Sequence, residues 1–309
     1  MVLIFLGTPL FAVPTLDRIV NAGHRVEAVF TQPDRPKGRG GQLSASPVKE
    51  AATRLGLPVH QPERIRHPEV VEQLKQMKPD AMVVVGYGQI IPQSIIDIPP
   101  RGIINVHASL LPKYRGAAPI QWAVANGETR TGVTTMRIDA GLDTGDMLLK
   151  WETQIGPEEN VLELGARLAD AGAQLLVETL RDNPVPVKQD STAATYAPIL
   201  KKEDGEIDWN WPARKIFNRS RAFLPWPGAY SFFRGQLFHV WKARVAGDAP
   251  SGEPGRLIPQ KKRLLIACGE STALDVVEVQ VEGRKRMSAE AFLNGQHLRD
   301  GEILGEKAA

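Results

Sequence analysis

Two polar residues, Asn105 and His107, end an apolar stretch and are the residues best suited to chemistry. The sequence from Gly102 to Gly116 reads GIINVHASLLPKYRG, in which hydrophobic residues lead directly to this pair. Side chains alternate along a strand, so residues two positions apart point to the same side. An amide that donates hydrogen bonds and an imidazole that carries a proton therefore face one point. Such a pair can stabilise a developing negative charge and move a proton.

A second polar cluster, MRIDAGLDTGDML, follows the next predicted strand and contains Asp139, Asp143 and Asp146. An aspartate beside an imidazole fixes the tautomer of the ring and stabilises its charged form. The spacing of the aspartates is not that of a calcium loop, and no Glu stands at the twelfth position. The absence of a G-x-S-x-G motif argues against serine hydrolysis. A single cysteine and scattered histidines argue against a metal centre.

Two glycine-containing turns follow predicted strands. Gly7 precedes Thr8 and Pro9, but the pattern G-x-G-x-x-G is absent and Pro9 has no backbone donor for a phosphate, which disfavours a dinucleotide site. Gly86 and Gly88 fit the tight turn that leaves a central strand. Ligands of open α/β sheets lie beyond the carboxyl ends of the strands, so this second turn is also placed to line a pocket.

The loop TQPDRPKGRGGQL (31–43) contains three cations, Arg35, Lys37 and Arg39, among glycines and prolines. We expect its residues 34–40 to form no regular element. The loop is either a flexible surface insertion or a functional segment. In the second case its cations suit contacts with phosphates.

Apolar strands and amphipathic helices alternate over residues 1–182, which predicts an open, largely parallel sheet wrapped by helices. Residues 183–205 have no sustained period and are predicted to be a surface linker. Residues 206–309 contain about five short strands separated by Gly and Pro, which predicts a small β-barrel. The predicted fold is thus an α/β domain followed by a β-barrel domain.

The composition is that of an ordinary globular protein, with 309 residues of which 42% are hydrophobic. The net charge of +3 divides into −1 for residues 1–205 (22 Lys/Arg, 23 Asp/Glu) and +4 for residues 206–309 (16 and 12). A mildly basic C-terminal part can contact phosphates, although charge alone favours an ordinary solvated surface. The N-terminus has no basic region before its apolar residues, and no apolar run is long enough to span a membrane, so we expect a cytoplasmic protein.

The run NVHASLLPKYRGAAPIQWA, with Asp143 of GLDTGD 36 residues after His107, resembles the 10-formyltetrahydrofolate-dependent formyltransferase family. The resemblance is closest to its members that act on methionyl-tRNA and covers nearly the whole chain. It includes the segments TQPDRPKGRG, SPVKEAA, VVVGYGQIIP, WPARKIF, FLPWPGAY and VWKA. One departure is Ala108, where many relatives carry Gly; its methyl group removes no chemical function.

The resemblance implies a Rossmann-like formyltransferase domain (1–182), a linker (183–205) and an OB-like domain that helps to hold tRNA (206–309). It implies formyl transfer from 10-formyltetrahydrofolate to the free α-amino group of methionyl initiator tRNA, giving N-formylmethionyl-tRNA for translation initiation, with no metal. It places catalysis on Asn105, His107 and Asp143, and tRNA binding on Arg35, Lys37 and Arg39. The predicted folate-binding residues are Tyr87, Gly88, Gln89, Ile90, Ser109, Leu110, Leu111 and Pro112. We expect a monomer whose partners are folate and aminoacylated initiator tRNA.

Three alternatives share many of these residues. A sugar-nucleotide N-formyltransferase or a folate-hydrolysing relative would keep the same trio. A non-catalytic folate or tRNA binder would have no need of all three side chains. The cations of the 31–43 loop favour tRNA, because a small soluble substrate gives no reason to cluster them.

Overall fold

The computed structural model describes residues 1–37, 42–248 and 252–305. The chain divides into two compact units. The first unit comprises Met1–Pro119, Arg130–Gln154 and Glu163–Pro198, and the second comprises Ile120–Thr129, Ile155–Leu162 and Ile199–Ala309. The domain boundaries at 182/183 and 205/206 stay predictions.

The strands and helices are numbered along the chain. The strands are β1 (Val2–Gly7), β2 (Arg25–Phe30), β3 (Arg35–Lys37), β4 (Gln42–Ser44), β5 (Val59–His60), β6 (Ala81–Val85), β7 (Ile103–His107), β8 (Arg115–Gly116), β9 (Arg130–Arg137), β10 (Met147–Gln154), β11 (Tyr196–Ala197), β12 (Ala229–Phe233), β13 (Gln236–Val245), β14 (Leu257–Gln260), β15 (Arg263–Cys268), β16 (Thr272–Val281) and β17 (Met287–Ser288). The helices are α1 (Val13–Asn21), α2 (Pro47–Arg54), α3 (Pro68–Gln76), α4 (Gln93–Ile96), α5 (Pro119–Ala125), α6 (Val161–Asp182), α7 (Ala213–Ala222) and α8 (Ala289–Gln296).

The first unit is built on a seven-stranded sheet with the order β10-β9-β7-β6-β1-β2-β5. Strands β1, β2, β5, β6 and β7 run parallel, β9 is antiparallel to β7, and β10 is antiparallel to β9. This arrangement confirms the predicted largely parallel sheet. Strands β6 and β7 are neighbours, with Val84 opposite Asn105. The loops that follow these two strands therefore begin at the same edge of the sheet.

The continuous apolar run of β6 is buried at every position, as expected for a central strand covered on both faces. One core cluster joins it to residues of β1, β2 and β7 and to the helical side chains Leu74 and Ile95. The interior of the first unit thus holds the ends of β6 and β7 in fixed positions for the loops that follow them.

The 31–43 loop differs from its prediction. Residues Arg35–Lys37 form β3, which pairs with β4 in an antiparallel register that sets Pro36 opposite Leu43. The expectation that residues 34–40 form no regular element was therefore wrong for the first part of the loop. A proline is compatible with such a strand because only alternate residues of a two-stranded ladder use their N–H groups toward the partner. Arg39 and the side chain of Lys37 lie outside the described residues.

The second unit contains an antiparallel sheet with the order β12-β13-β16-β15-β14, and β17 pairs with β16. The segment 302–305 forms backbone hydrogen bonds with both edge strands of this sheet, β14 and β12. The carbonyl of Glu302 accepts from Leu257 N of β14 at 2.8 Å, and the N–H of Gly305 donates to Phe232 O of β12 at 2.9 Å. The C-terminal segment therefore bonds to both edge strands of the sheet. The predicted fold class, an α/β domain followed by a small β-barrel domain, is confirmed, the second domain being built on this antiparallel sheet.

Helix α8 had no prediction from the sequence. Ser288 caps its N-terminus by accepting a hydrogen bond from Ala291 N at 3.2 Å. Phe292 is fully buried and lies with its ring centroid 5.2 Å from that of Phe233 and 5.3 Å from that of Phe238. The helix thus closes the core of the second unit through a cluster of three aromatic rings.

We expect Phe292→Ala to destabilise the second unit by about 3–5 kcal/mol, because it removes a fully buried ring and leaves a cavity. Urea-induced unfolding followed by tryptophan fluorescence measures the change. Leu162→Ala, at a side chain that is 56% exposed, is the matched control and should leave the transition unmoved. An equal shift for both variants would contradict the role of Phe292 in this core.

Candidate active site

The three predicted catalytic side chains meet at the carboxyl edge of the parallel sheet. Asn105 and His107 lie on β7 and are 9% and 5% exposed. The Nδ2 atom of Asn105 donates to Oδ1 of Asp143 at 3.3 Å. The Nδ1 atom of His107 lies 3.5 Å from Oδ2 of the same carboxylate. One aspartate of the cluster thus faces both side chains of the strand end.

The backbone around His107 fixes the tautomer of its ring. Its Nε2 atom lies 2.9 Å from the carbonyl oxygen of Tyr114. A carbonyl oxygen only accepts, so Nε2 carries a hydrogen. The Nδ1 atom is then the ring position that can take up or release a proton, and this is the atom that faces Asp143. The carboxylate is placed to stabilise the ring when both nitrogens are protonated.

The turn at Gly116 supplies a third contact to Asp143. Gly116 N donates to Oδ2 of the carboxylate at 2.9 Å. Gly116 has a φ of +119°, and a Cβ atom added there would lie 2.6 Å from the carbonyl oxygen of Ala197. A side chain at this position would force the backbone apart. The glycine is therefore required both for the backbone conformation and for the approach of β11.

The other two aspartates of the cluster, Asp139 and Asp146, form hydrogen bonds within their own loop and strand. Asp139 Oδ1 accepts from Gly141 N at 3.0 Å and from the Thr144 hydroxyl at 2.7 Å. These bonds hold the turn itself. Asp146 uses its backbone carbonyl to accept from Arg137 N at 2.8 Å. Of the three, only Asp143 meets His107.

The S-L-L-P turn (Ser109–Pro112) is held by the neighbouring antiparallel strands. The Thr134 hydroxyl of β9 donates to Ser109 O at 2.7 Å and accepts from Leu111 N at 3.2 Å. Lys150 of β10 donates through Nζ to Leu111 O at 2.6 Å. Partial burial lowers the pKa of Lys150 below its ordinary value. The turn is fixed from one side by these two strands.

The predicted folate-binding residues fall into two groups. Gly88 and Ile90 are exposed, Ile90 at 89%, and Gln89, Leu110 and Pro112 are partly buried. The side chains of Tyr87, Ser109 and Leu111 are buried, so their contribution to a ligand is limited to the backbone and to the shape of the turns. The Gln89 amide is also occupied, since its oxygen accepts from Ile65 N at 2.7 Å.

The loop after β6 is joined to the loops after β1 and β2. The carbonyl oxygen of Tyr87 accepts from the Thr8 hydroxyl at 3.0 Å and from Gln32 Nε2 at 3.2 Å. The Tyr87 hydroxyl is buried without a hydrogen-bond partner among the described residues, and burial raises the pKa of this phenol above its ordinary value. The loops after the neighbouring strands β6, β1 and β2 are therefore joined by hydrogen bonds to one carbonyl oxygen, that of Tyr87.

The predicted cation loop is anchored at its start. Lys49 Nζ donates to Asp34 Oδ2 at 2.6 Å, and Gln61 donates to Asp34 Oδ1 at 2.7 Å. These hydrogen bonds hold the pKa of Asp34 below its ordinary value. Arg35 is exposed and has a long contact of 3.4 Å to the Gln32 amide oxygen. The charge of Asp34 is thus paired with that of Lys49.

The sequence did not reveal the residues that hydrogen-bond to Asp143 and fix its position. Gln189, in the predicted linker, donates through Nε2 to the carbonyl oxygens of Asp143 at 2.8 Å and Gly145 at 2.7 Å. The aperiodic sequence around Gln189 carried no signal for this contact. Gly116 was visible only as the end of the motif KYRG.

Neither a metal site nor a membrane-spanning helix is found in the described parts of the chain. They contain no group of three or more His, Cys, Asp and Glu side chains that could hold a metal ion. None of the helices within them has the length and hydrophobicity needed to cross a membrane.

Comparison with known proteins decides the family. Residues 1–180 match the family described as Formyl transferase, and residues 199–297 match Formyl transferase, C-terminal domain. This chain belongs to the formyltransferase family. Family membership makes it a formyltransferase enzyme and confirms the resemblance drawn from the NVHASLLP and GLDTGD motifs.

Full-length relatives within the formyltransferase family agree with this assignment. The chain is 63% identical to a methionyl-tRNA formyltransferase of Solibacter usitatus and 56% identical to one of Koribacter versatilis, over 99% of each chain in both cases.

Solved structures of formyltransferases share the fold at low identity. An N-formyltransferase from Helicobacter canadensis, in complex with folinic acid and dTDP-3-aminofucose, aligns with a TM-score of 0.67 and 17% identity, covering 89% of this chain and 99% of that one. The methionyl-tRNA formyltransferase from Clostridium thermocellum aligns with a TM-score of 0.56 and 18% identity, covering 80% and 95%. These likenesses establish the fold alone.

Proposed function

We propose that this protein transfers a formyl group from 10-formyltetrahydrofolate to the α-amino group of methionyl initiator tRNA, giving N-formylmethionyl-tRNA for translation initiation. The observation that carries the chemistry is the convergence of Asn105 and His107 on the Asp143 carboxylate. The identity of 63% over 99% of both chains to a methionyl-tRNA formyltransferase supports the choice of acceptor.

Asn105, His107 and Asp143 have separate roles in the proposed reaction. The amine attacks the formyl carbon directly, so no protein nucleophile is required. Asn105 has two amide hydrogens, of which one is directed to Asp143, so the other is available to stabilise negative charge that develops on the formyl oxygen. His107 takes the proton that the attacking amine loses and returns it from Nδ1 to the departing folate nitrogen, and Asp143 stabilises the ring while it is charged.

The loops beside this trio fit a folate donor, which supplies the formyl group on a nitrogen that leaves with its electron pair. Gly88 and Ile90 offer exposed backbone and apolar surface after β6, and Leu110 offers partly buried apolar surface after β7. The Tyr87 hydroxyl, which has no hydrogen-bond partner among the described residues, lies in the core next to the first of these loops. We propose that the exposed members hold the donor and that the buried ones set the shape of the turns.

The choice between tRNA and a sugar nucleotide depends on the 31–43 loop. Arg35, Lys37 and Arg39 provide three cations within five residues, which suits a polyanionic backbone. The net charge of +4 on residues 206–309 adds to the attraction for tRNA. We propose that both act on the tRNA body, in a monomeric cytoplasmic enzyme.

The direct test is transfer of labelled formyl from 10-formyltetrahydrofolate to charged initiator tRNA, with an amino-sugar nucleotide as the competing acceptor. Formylation of tRNA alone supports the proposal. Formylation of the sugar alone would assign the trio to the other acceptor, and transfer to neither would reject both.

We expect the triple variant Arg35→Ala, Lys37→Ala, Arg39→Ala to weaken tRNA use and to flatten its salt dependence by up to about three phosphate contacts. Folate binding should hardly change, because these cations are not among the proposed donor contacts. The measurement is the slope of log kcat/KM for tRNA against log salt concentration.

The matched control for this prediction neutralises three exposed cations outside the loop: Arg25 at the start of β2, Arg54 at the end of α2 and Lys75 near the end of α3. It should keep the wild-type slope. A wild-type slope for the loop variant as well would make the 31–43 loop a surface insertion.

A further inference from the structure

The segment from Val187 to Ala197 lies within the predicted linker but is bonded to the elements that carry the site. Val187 and Met147 exchange two backbone hydrogen bonds of 2.8 Å. At the other end, β11 pairs with β8 in parallel, and Thr195 O accepts from Arg115 N at 2.8 Å. The segment is therefore fixed on both sides of Gln189.

The Gln189 amide joins a buried cation to the loop of Asp143. Its oxygen accepts from Arg115 Nε at 3.0 Å and from Arg115 Nη2 at 2.7 Å. Arg115 is only 3% exposed. Because a guanidinium only donates, the amide oxygen must face it, and the NH₂ group must face the other way. There it donates to the carbonyl oxygens of Asp143 and Gly145.

Asp143 needs such support because its backbone is in the left-handed region, with a φ of +51°. A non-glycine residue adopts this conformation at a cost and keeps it only when its surroundings hold it. Gln189 holds the backbone carbonyl of Asp143, while Gly116 N holds its carboxylate. Arg115 and Gly116 are adjacent in β8, so one short strand supports both ends of the aspartate.

We infer that Gln189 is a positioning residue for the transfer reaction, and that its NH₂ group keeps the Asp143 carboxylate against His107 and Asn105. The inference rests on the proposed function, since it requires Asp143 to act in the reaction. Among the described residues, the hydrogen bonds of the Gln189 side chain go to Arg115, Asp143 and Gly145, not to His107 or Asn105. Its effect on rate is exerted through the backbone of Asp143.

Gln189→Glu separates positioning from packing. The new side chain has nearly the same size and still accepts from Arg115, as an ion pair, but an ionised carboxylate has no hydrogen to give to the two carbonyls. We expect the single-turnover rate of formyl transfer to fall by about 10- to 100-fold, as displacement of a reacting group by a fraction of an ångström to 1 Å does. The KM values for tRNA and folate should stay near wild type.

Gln174→Glu is the matched control. Gln174 is an exposed residue of α6 whose amide oxygen also accepts from an arginine, Arg18, at 2.8 Å. This variant makes the same chemical change away from the site and should keep the wild-type rate. Gln189→Ala, with circular dichroism as a check of folding, provides the second variant if the glutamate disturbs the fold, and its rate should fall comparably.

A double-mutant comparison tests whether Gln189 affects the transfer rate through Asp143. If Gln189 acts through Asp143, then Gln189→Glu should change the rate little in an Asp143→Asn background, because partners that act as a unit are not additive. A wild-type rate for folded Gln189→Glu, or an equal loss in both backgrounds, would overturn the inference. A near-wild-type rate for Asp143→Asn alone would instead overturn the proposed role of the trio, so the two failures are distinguishable.

Discussion

His107→Ala and Asp143→Asn are expected to lower the single-turnover rate of formyl transfer by on the order of a hundred- to ten-thousand-fold while leaving folate binding largely intact. We expect His107 to exchange a proton at Nδ1, because Nε2 is committed to Tyr114 O. Asp143 faces that Nδ1 atom. The double variant should be little slower than the slower single variant, since the two residues act as a unit.

Asp139→Asn is the control for this prediction. It changes an aspartate of the same loop, but the Oδ1 atom that holds Gly141 N and Thr144 can be replaced by the amide oxygen. Its rate should stay close to wild type. A near-wild-type rate for either His107→Ala or Asp143→Asn would remove the acid–base assignment.

Asn105→Ala is expected to lower kcat by about a hundred- to a thousand-fold, the usual effect of removing one donor that stabilises an oxyanion. The amide has a second consequence, because one of its hydrogens holds Asp143 Oδ1 at 3.3 Å. Asn105→Asp keeps the shape but brings a carboxyl group against the Asp143 carboxylate, so we expect it to be at least as impaired as the alanine variant. Rapid-quench measurement of labelled formyl transfer gives both rates.

Asn294→Ala, at an exposed position of α8, is the matched control for Asn105→Ala and should leave kcat unchanged. If Asn105→Ala transfers formyl at the wild-type rate, charge on the formyl oxygen is stabilised by another group. The backbone N–H groups of the turn after His107 would then be the next candidates.

The fold of the first unit was predictable because its signals are local. The run DAMVVVGY gave β6 within a few residues of its observed bounds, and the long amphipathic pattern gave α6 to its last residue, Asp182. The β3–β4 ladder was missed because Gly and Pro dominate the 31–43 loop, while pairing depends on the partner strand. Helix α8 was missed because its apolar face is short and its burial is decided by Phe233 and Phe238.

The assignment of the acceptor shows the limit of fold comparison. An N-formyltransferase in complex with dTDP-3-aminofucose and a sugar 3N-formyl transferase align with 89% and 92% of this chain at 17% identity. The proposal of a tRNA acceptor is supported instead by the full-length identity of 63% to a methionyl-tRNA formyltransferase. Loops and surface charges, which the shared core leaves unconstrained, determine the acceptor.

The sequence by itself determined the parallel sheet, the succession of an α/β domain and a β domain, and the pairing of Asn105 with His107. Period-two and helical patterns are properties of neighbouring residues, and alternation along a strand follows from backbone geometry. Only the tertiary structure decided which aspartate meets the imidazole, which ring nitrogen faces that aspartate, and that Gln189 donates to the Asp143 backbone. These depend on contacts such as Gln189 to Asp143, 46 positions apart. A local pattern carries no trace of such contacts, because they form only when distant backbone segments are brought together by the fold.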